Sequence, residues 1–234
     1  MNANSQRAAV WCGLAFGGLF FIACWPIGGL LLPPSPTLTG PELMEKYADS
    51  INWVKAAMPL GLIAAIFAVP WNAVLALQMA RIEGKMPVWS VSCFGAGCTN
   101  VVIFSLPFIF WSGAFYRVDR DPALFQLIND ITWLEFVMTF PPLCMQMCAT
   151  AFIGLSDKSE NPVFPRWACY LNLWVAFLFL PGGLAIFFQT GPFAWNGVLA
   201  LWVPAVVFGI YFSSMTPVLL KAIKRQEQEQ AAYV

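Results

Sequence analysis

Ile131 to Leu155 decides the fold: ITWLEFVMTFPPLCMQMCATAFIGL. Glu135 is its one charged residue, and Thr132, Thr139, Gln146 and Thr150 are its hydroxyl and amide side chains. A membrane crossing takes about 20 mostly apolar residues, so the segment predicts a transmembrane helix. Pro141-Pro142 interrupts it. Proline lacks an N–H and its ring clashes with the preceding turn, so the helix is predicted to kink or break there. The carbonyls freed by such a break must face protein or a wet cavity, because lipid offers them no donor.

Five more runs of the same kind flank this one. Together the six lie at about 9–32, 56–80, 90–115, 131–155, 167–188 and 195–220. Of the 234 residues, 59% are hydrophobic and 10% charged, against roughly 25% charged in an ordinary soluble domain. The composition therefore selects an all-α membrane protein, a six-transmembrane-helix bundle forming one integral domain over 1–234. The first run is read as a retained helix: its n-region carries only Arg7, and no A-x-A site follows it. The tail at 221–234 (KAIKRQEQEQAAYV) is polar and is read as a cytoplasmic helix end fraying into water.

Basic residues orient the bundle. With the N-terminus cytoplasmic, that side holds Arg7, Arg81, Lys85, Lys158, Arg166, Lys221, Lys224 and Arg225, and the other holds Lys46, Lys55, Arg117 and Arg120. The expectation is N-in and C-in, in a bacterial plasma (inner) membrane. Trp53, Trp89, Trp133, Trp167 and Trp195 stand near span ends as interfacial anchors.

The outward ends of the odd helices resemble one another: Trp25-Pro26-Ile27-Gly28-Gly29, Leu106-Pro107, and Leu180-Pro181-Gly182-Gly183. Each is followed by a second proline, at Pro41, Pro122 and Pro192. Ile51-Asn52-Trp53-Val54-Lys55 then matches Ile131-Thr132-Trp133-Leu134-Glu135, with Trp195 or Trp202 in a looser third copy. A three-hairpin internal repeat fits this pattern, and so does the ordinary enrichment of Pro, Gly and Trp at span ends.

An ionisable residue inside a bilayer costs about 2.5–3.5 kcal/mol on insertion scales, which makes Glu135 the leading chemical candidate. It lies five residues beyond Asp130, about 7.5 Å deeper along a helix. Glu135 would be a general acid with Asp130 as partner, or would pair structurally with Lys55. Trp133 and the intramembrane amides Asn72, Asn100, Gln146 and Asn172 are candidate ligand-binding residues. As plain helix glue, such amides contribute only about 0.6 kcal/mol each. Gly13 and Gly17 form one GxxxG, suited to packing inside the bundle or to a dimer.

The outer loop Arg117-Val118-Asp119-Arg120-Asp121-Pro122 mixes charges in the manner of a salt-bridged cap, with Asp121 as N-cap and Pro122 at N1. Residues 122–128 and 41–52 read as two interfacial helices roofing a cavity that opens outward.

There is no His, and there are seven Cys, none paired across an outer loop. Cys144 and Cys148 share a helix face but lack further ligands, so neither a metal nor a cofactor is expected. GxGxxG, P-loop, G-x-S-x-G and H-E-x-x-H patterns are missing. Balanced charge argues against nucleic acid as a partner.

The leading expectation is a protein that binds or moves a lipid, sterol or terpenoid-like molecule in an aromatic-lined pocket. The alternatives are an acid-catalysed isomerase or cyclase built on Glu135 and an accessory subunit of a membrane complex. Partners expected are membrane lipids, a hydrophobic small molecule, and a membrane protein or a second copy of the chain.

Overall fold

The computed structural model describes residues 3–24, 33–117 and 119–232. Among them there is no strand, and the helices are α1 (Ala3–Ile22), α2 (Gly40–Ala48), α3 (Ile51–Ile66), α4 (Ala68–Glu83), α5 (Val88–Phe115), α6 (Pro122–Met138), α7 (Pro141–Ser156), α8 (Arg166–Phe179) and α9 (Val203–Ala231). A 3-10 turn, Leu180–Phe187, extends α8, and a π turn, Val198–Trp202, opens α9. Grouped by length and apolarity they make six candidate spans: Ala3–Ile22, Ile51–Glu83, Val88–Phe115, Pro122–Ser156, Arg166–Phe187 and Val198–Ala231.

Proline sets the breaks. α3 passes to α4 at Phe67, three residues before Pro70, whose missing N–H leaves the Ile66 carbonyl without its helical donor. α6 ends at Met138, and α7 restarts with Pro141 and Pro142 in its first turn. Thr139 closes α6, its N–H and hydroxyl both donating to the Glu135 carbonyl at 3.3 and 2.6 Å. Pro141 also strips the Val137 carbonyl of its donor. Gly182 packs against that carbonyl so closely that a Cβ there would lie 2.4 Å from it, so the Pro181-Gly182-Gly183 end of the fifth span is shaped by the break between α6 and α7. The first copy of the repeat pattern, residues 25–29, lies outside the described residues.

Inside hydrocarbon, packing and not burial holds helices together. The chain meets this need by setting glycines against large side chains of neighbouring helices. A Cβ on Gly13 would meet the Trp71 ring at 2.1 Å, one on Gly61 the Phe108 ring at 2.2 Å, and one on Gly97 the Asn72 amide at 2.4 Å. Half of the GxxxG is thus internal packing. Gly17, one turn further along α1, meets nothing within 4 Å.

Four sequence expectations change. The segment after Asp121 is not a separate interfacial helix. Asp121 does cap it, accepting from the Ala123 N–H at 2.8 Å, but the helix runs unbroken from Pro122 into the fourth span because nothing interrupts it before Pro141. Among the described residues α2 alone is a separate short helix at this end, and it packs on α6 with Gly40 against the Pro122 carbonyl. The tail does not fray: α9 continues to Ala231, held by Arg7–Glu227 and Arg81–Glu229 ion pairs. These are the two ion pairs among the described residues, so the mixed charges of 117–121 form no such cap, and Arg120 donates to the Gly113 carbonyl at 3.1 Å. Trp53, Trp89 and Trp167 are exposed as anchors should be, whereas Trp133 and Trp195 are buried, the latter donating to the Pro34 carbonyl at 2.9 Å.

The 157–165 turn is pinned by Asp157, which accepts from the Ser159 and Val163 N–H groups at 3.0 and 2.9 Å. Partial burial opposes ionisation, but these bonds and the nearby Arg166 charge outweigh it and hold the Asp157 carboxyl below its usual range. A depressed folded value stabilises above the unfolded value of about 3.9 and is lost as pH falls through the folded one. In detergent, the thermal midpoint of wild type should fall below pH 4 toward that of Asp157→Asn, and parallel curves at all pH values would refute this. Separately, Gly13→Ala should cost about 1–3 kcal/mol by overpacking against Trp71. Gly17→Ala should leave the midpoint unchanged or slightly raised, since alanine is the better helix former by about 0.5–1 kcal/mol.

Candidate functional site

A cavity of about 430 Å³ lies within the bundle. α1 contributes Leu14, Gly17, Gly18, Phe20 and Phe21, followed by Cys24. Phe104 and Trp111 come from α5, and the fourth span adds Trp133, Phe136, Val137, Thr139, Phe140 and Leu143. Phe179 closes one side. The sixth span completes the wall with Ala200, Leu201, Pro204, Ala205, Phe208, Gly209, Phe212 and Ser213.

The wall follows from helical period. On α6 and its continuation, Trp133, Phe136, Val137 and Phe140 recur at i, i+3, i+4 and i+7 and so share one face. On α9, Ala205, Phe208, Gly209 and Phe212 do the same. The rings interlock edge to face: Phe16 with Phe212 at 5.5 Å, Phe20 with Phe104 at 5.4 Å, Trp111 with Trp133 at 5.2 Å. No charged residue is among the lining residues described, and the polar lining groups are Ser213, Thr139, Cys24 and the two indoles.

Of the residues singled out from sequence, the cavity takes Trp133 alone. Glu135 stands two residues from both Trp133 and Val137, about 200° around the helix from each, and is not among the lining residues. Both its carboxylate oxygens are buried without a hydrogen-bond partner, and the expected pairing with Lys55 is not formed. Asp130 contacts only its neighbour, accepting from the Asn129 amide at 3.4 Å.

Asn72 and Gln146, expected to face a ligand, face each other: the Gln146 amide donates to the Asn72 oxygen at 2.7 Å. Thr150 donates to the Gln146 carbonyl at 2.9 Å, which completes a polar seam between α4 and α7. Asn172 turns back to the Ala168 carbonyl at 2.8 Å and to the Met215 sulfur at 3.4 Å. Asn100 is 4% exposed and neither amide atom has a partner. None of these four amides lines the cavity.

The two ends of the bundle differ. At the end holding both described termini, three buried glutamines clasp three helices. The Gln78 amide donates to Gln6 and Gln226 at 2.7 and 3.0 Å, and Arg81 donates to the Gln78 oxygen at 2.7 Å and to Glu229 at 2.7 Å. At the other end, Tyr47 of α2 packs edge to face on Phe115 at 5.2 Å. Its hydroxyl faces the Trp133 indole, yet neither polar atom completes a hydrogen bond, and the Trp111 N–H is also unpartnered. Burial raises the Tyr47 phenol above its ordinary range. Met44, Glu45, Tyr47, Phe115, Arg117 and Phe125 line a second hollow, of about 410 Å³.

Sequence reading missed most of the cavity wall. Its signal was there, as Trp133/Phe136/Val137 and Phe208/Phe212 at helical spacing, but ordinary core packing writes the same pattern. Among the described residues no three His, Cys, Asp or Glu side chains gather as metal ligands. Comparison with protein-family models, curated proteins and solved structures finds no match.

The amides test the distinction between seam and orphan. Asn72→Leu strands the Gln146 amide and should cost about 1–3 kcal/mol. Asn100→Leu removes two unsatisfied buried atoms and should leave the thermal midpoint equal or higher. A drop at Asn100→Leu would mean that this amide has a water or ligand partner.

Proposed function

We propose that the chain is a multi-pass membrane protein that binds a hydrophobic or amphipathic small molecule, of lipid, sterol or terpenoid type, in the aromatic-lined cavity. The cavity carries this reading. Its volume of about 430 Å³ falls in the range of small-molecule sites, about 300–1,000 Å³. Its lining is aromatic and aliphatic with a few hydroxyl, thiol and indole groups, which suits an uncharged ligand. Among the described lining residues there is no carboxylate, so an acid acting on the bound molecule finds no support, and Glu135 has no role in this reading.

The same reading places the N- and C-termini on the cytoplasmic side of a bacterial plasma membrane. Eight of the twelve basic residues support it. Arg7, Arg81 and Arg225 gather at one end, engaged with Glu227, Glu229 and the Pro162 carbonyl. A three-hairpin plan is supported by the proline-led breaks in the second and fourth spans. Any such likeness is architectural, because the paired Trp53 and Trp133 are 66% and 2% exposed.

Gentle purification followed by mass spectrometry of retained lipids and proteins tests the proposal. Wild type should retain a defined lipid class. Ala205→Phe, which adds a ring to the cavity wall, should lower retention about fivefold or more, and Glu135→Gln should retain as wild type does. Equal retention by Ala205→Phe, or no retained lipid beside a protein partner at fixed stoichiometry, would overturn it.

A further inference from the structure

The cavity has a side. Antiparallel stretches of α1 with its continuation (Leu14 to Cys24) and of the sixth span (Ser213 to Leu201) border it. Along this border Gly18, Phe21, Gly209 and Ser213 are exposed. A Cβ on Gly17, Gly18 or Gly209 would meet no atom within 4 Å, in contrast to the tightly filled Gly13, Gly61 and Gly97. The same two helices are locked together at their inner ends by Gln6–Gln226 and Arg7–Glu227. They touch through Phe16 and Phe212. The gap is therefore local, and it opens at membrane depth, where the outside is hydrocarbon.

Its length points to the occupant. Ten residues from Leu14 to Cys24 rise about 15 Å, half of a hydrocarbon core about 30 Å thick. The stretch runs from mid-membrane toward the α2 end, so it matches one chain of one leaflet. Among the described residues no charged side chain lines it. At the α2 end stand Trp111 and Trp133, each 2% exposed and each with an unpartnered indole N–H.

Resting on the reading of the cavity as a binding site, we propose that the glycine-lined gap between α1 and α9 is a side entrance through which one uncharged hydrocarbon chain of a bilayer lipid enters from the leaflet at the α2 end. Gly17, Gly18 and Gly209 set its width. The ligand is drawn from the bilayer and not from water.

The test uses the full chain in phosphatidylcholine vesicles doped with a phosphatidylcholine whose acyl chain carries a diazirine. After irradiation, peptide mass spectrometry maps the adducts. Wild type should be labelled on the cavity wall at Phe104, Trp111 and Phe136, and also on the outward Trp174, which is 62% exposed. Gly18→Phe and Gly209→Phe put a ring in open space, so both should fold. In each, wall labelling should fall about tenfold while Trp174 labelling and the thermal midpoint hold. Undiminished wall labelling in both variants would overturn the side entrance and leave the binding site standing. Trp174 labelling without any wall labelling in wild type would overturn both.

Discussion

In hydrocarbon, apolar side chains gain nothing by leaving their surroundings, because the lipid tails are as apolar as the protein interior. Helices stay together only where their surfaces touch more closely than lipid can. In this chain that contact is made at glycines. Gly13 admits the Trp71 ring, Gly61 the Phe108 ring, Gly97 the Asn72 amide and Gly154 the Cys169 sulfur. Gly182 admits a bare carbonyl that Pro141 has freed. Each such contact joins different spans. Of the glycines that meet no neighbour, Gly17, Gly18 and Gly209 line the cavity, whereas Gly84, Gly95, Gly113 and Gly191 do not.

Polar groups divide the bundle by depth. At the end of the described termini every amide of the Gln6–Gln78–Gln226 cluster is engaged, and two arginines tie it to the last turns of α9. A satisfied network in a low dielectric is rigid and specific. The other end is the reverse: the Tyr47 hydroxyl, the Trp111 and Trp133 indoles and the Glu135 carboxylate are buried without partners. Unpaired buried groups cost about 1–3 kcal/mol each, and three of them cluster beside the cavity. The anchored end sets the geometry, and the unsatisfied end carries the cost.

Glu135 shows how a single residue misleads. Its cost in a membrane is real, and from sequence that cost alone marks it. Cost says that something must compensate, not which way the side chain points. Two residues along a helix turn through about 200°, so Glu135 and Trp133 cannot serve the same face. The aromatic residue proved to belong to the cavity and the acid did not. The amides divide in the same way: Asn72 found Gln146, a residue 74 positions away, and Asn100 found nothing.

Hydropathy, length and proline spacing determine the six apolar spans, the break before Pro141-Pro142 and the Asp121 cap, because each depends on residues within a few turns of one another. Phe spacing at three and four residues determines that rings line certain helix faces. Whether a face meets another helix, lipid or a void depends on which spans lie side by side. That is a matter of contacts between residues far apart in the chain, such as Phe16 with Phe208 and Phe212. Tertiary structure alone therefore decided that the wall is built from α1, α5, α6, α7, α8 and α9 and that Trp133 belongs to it.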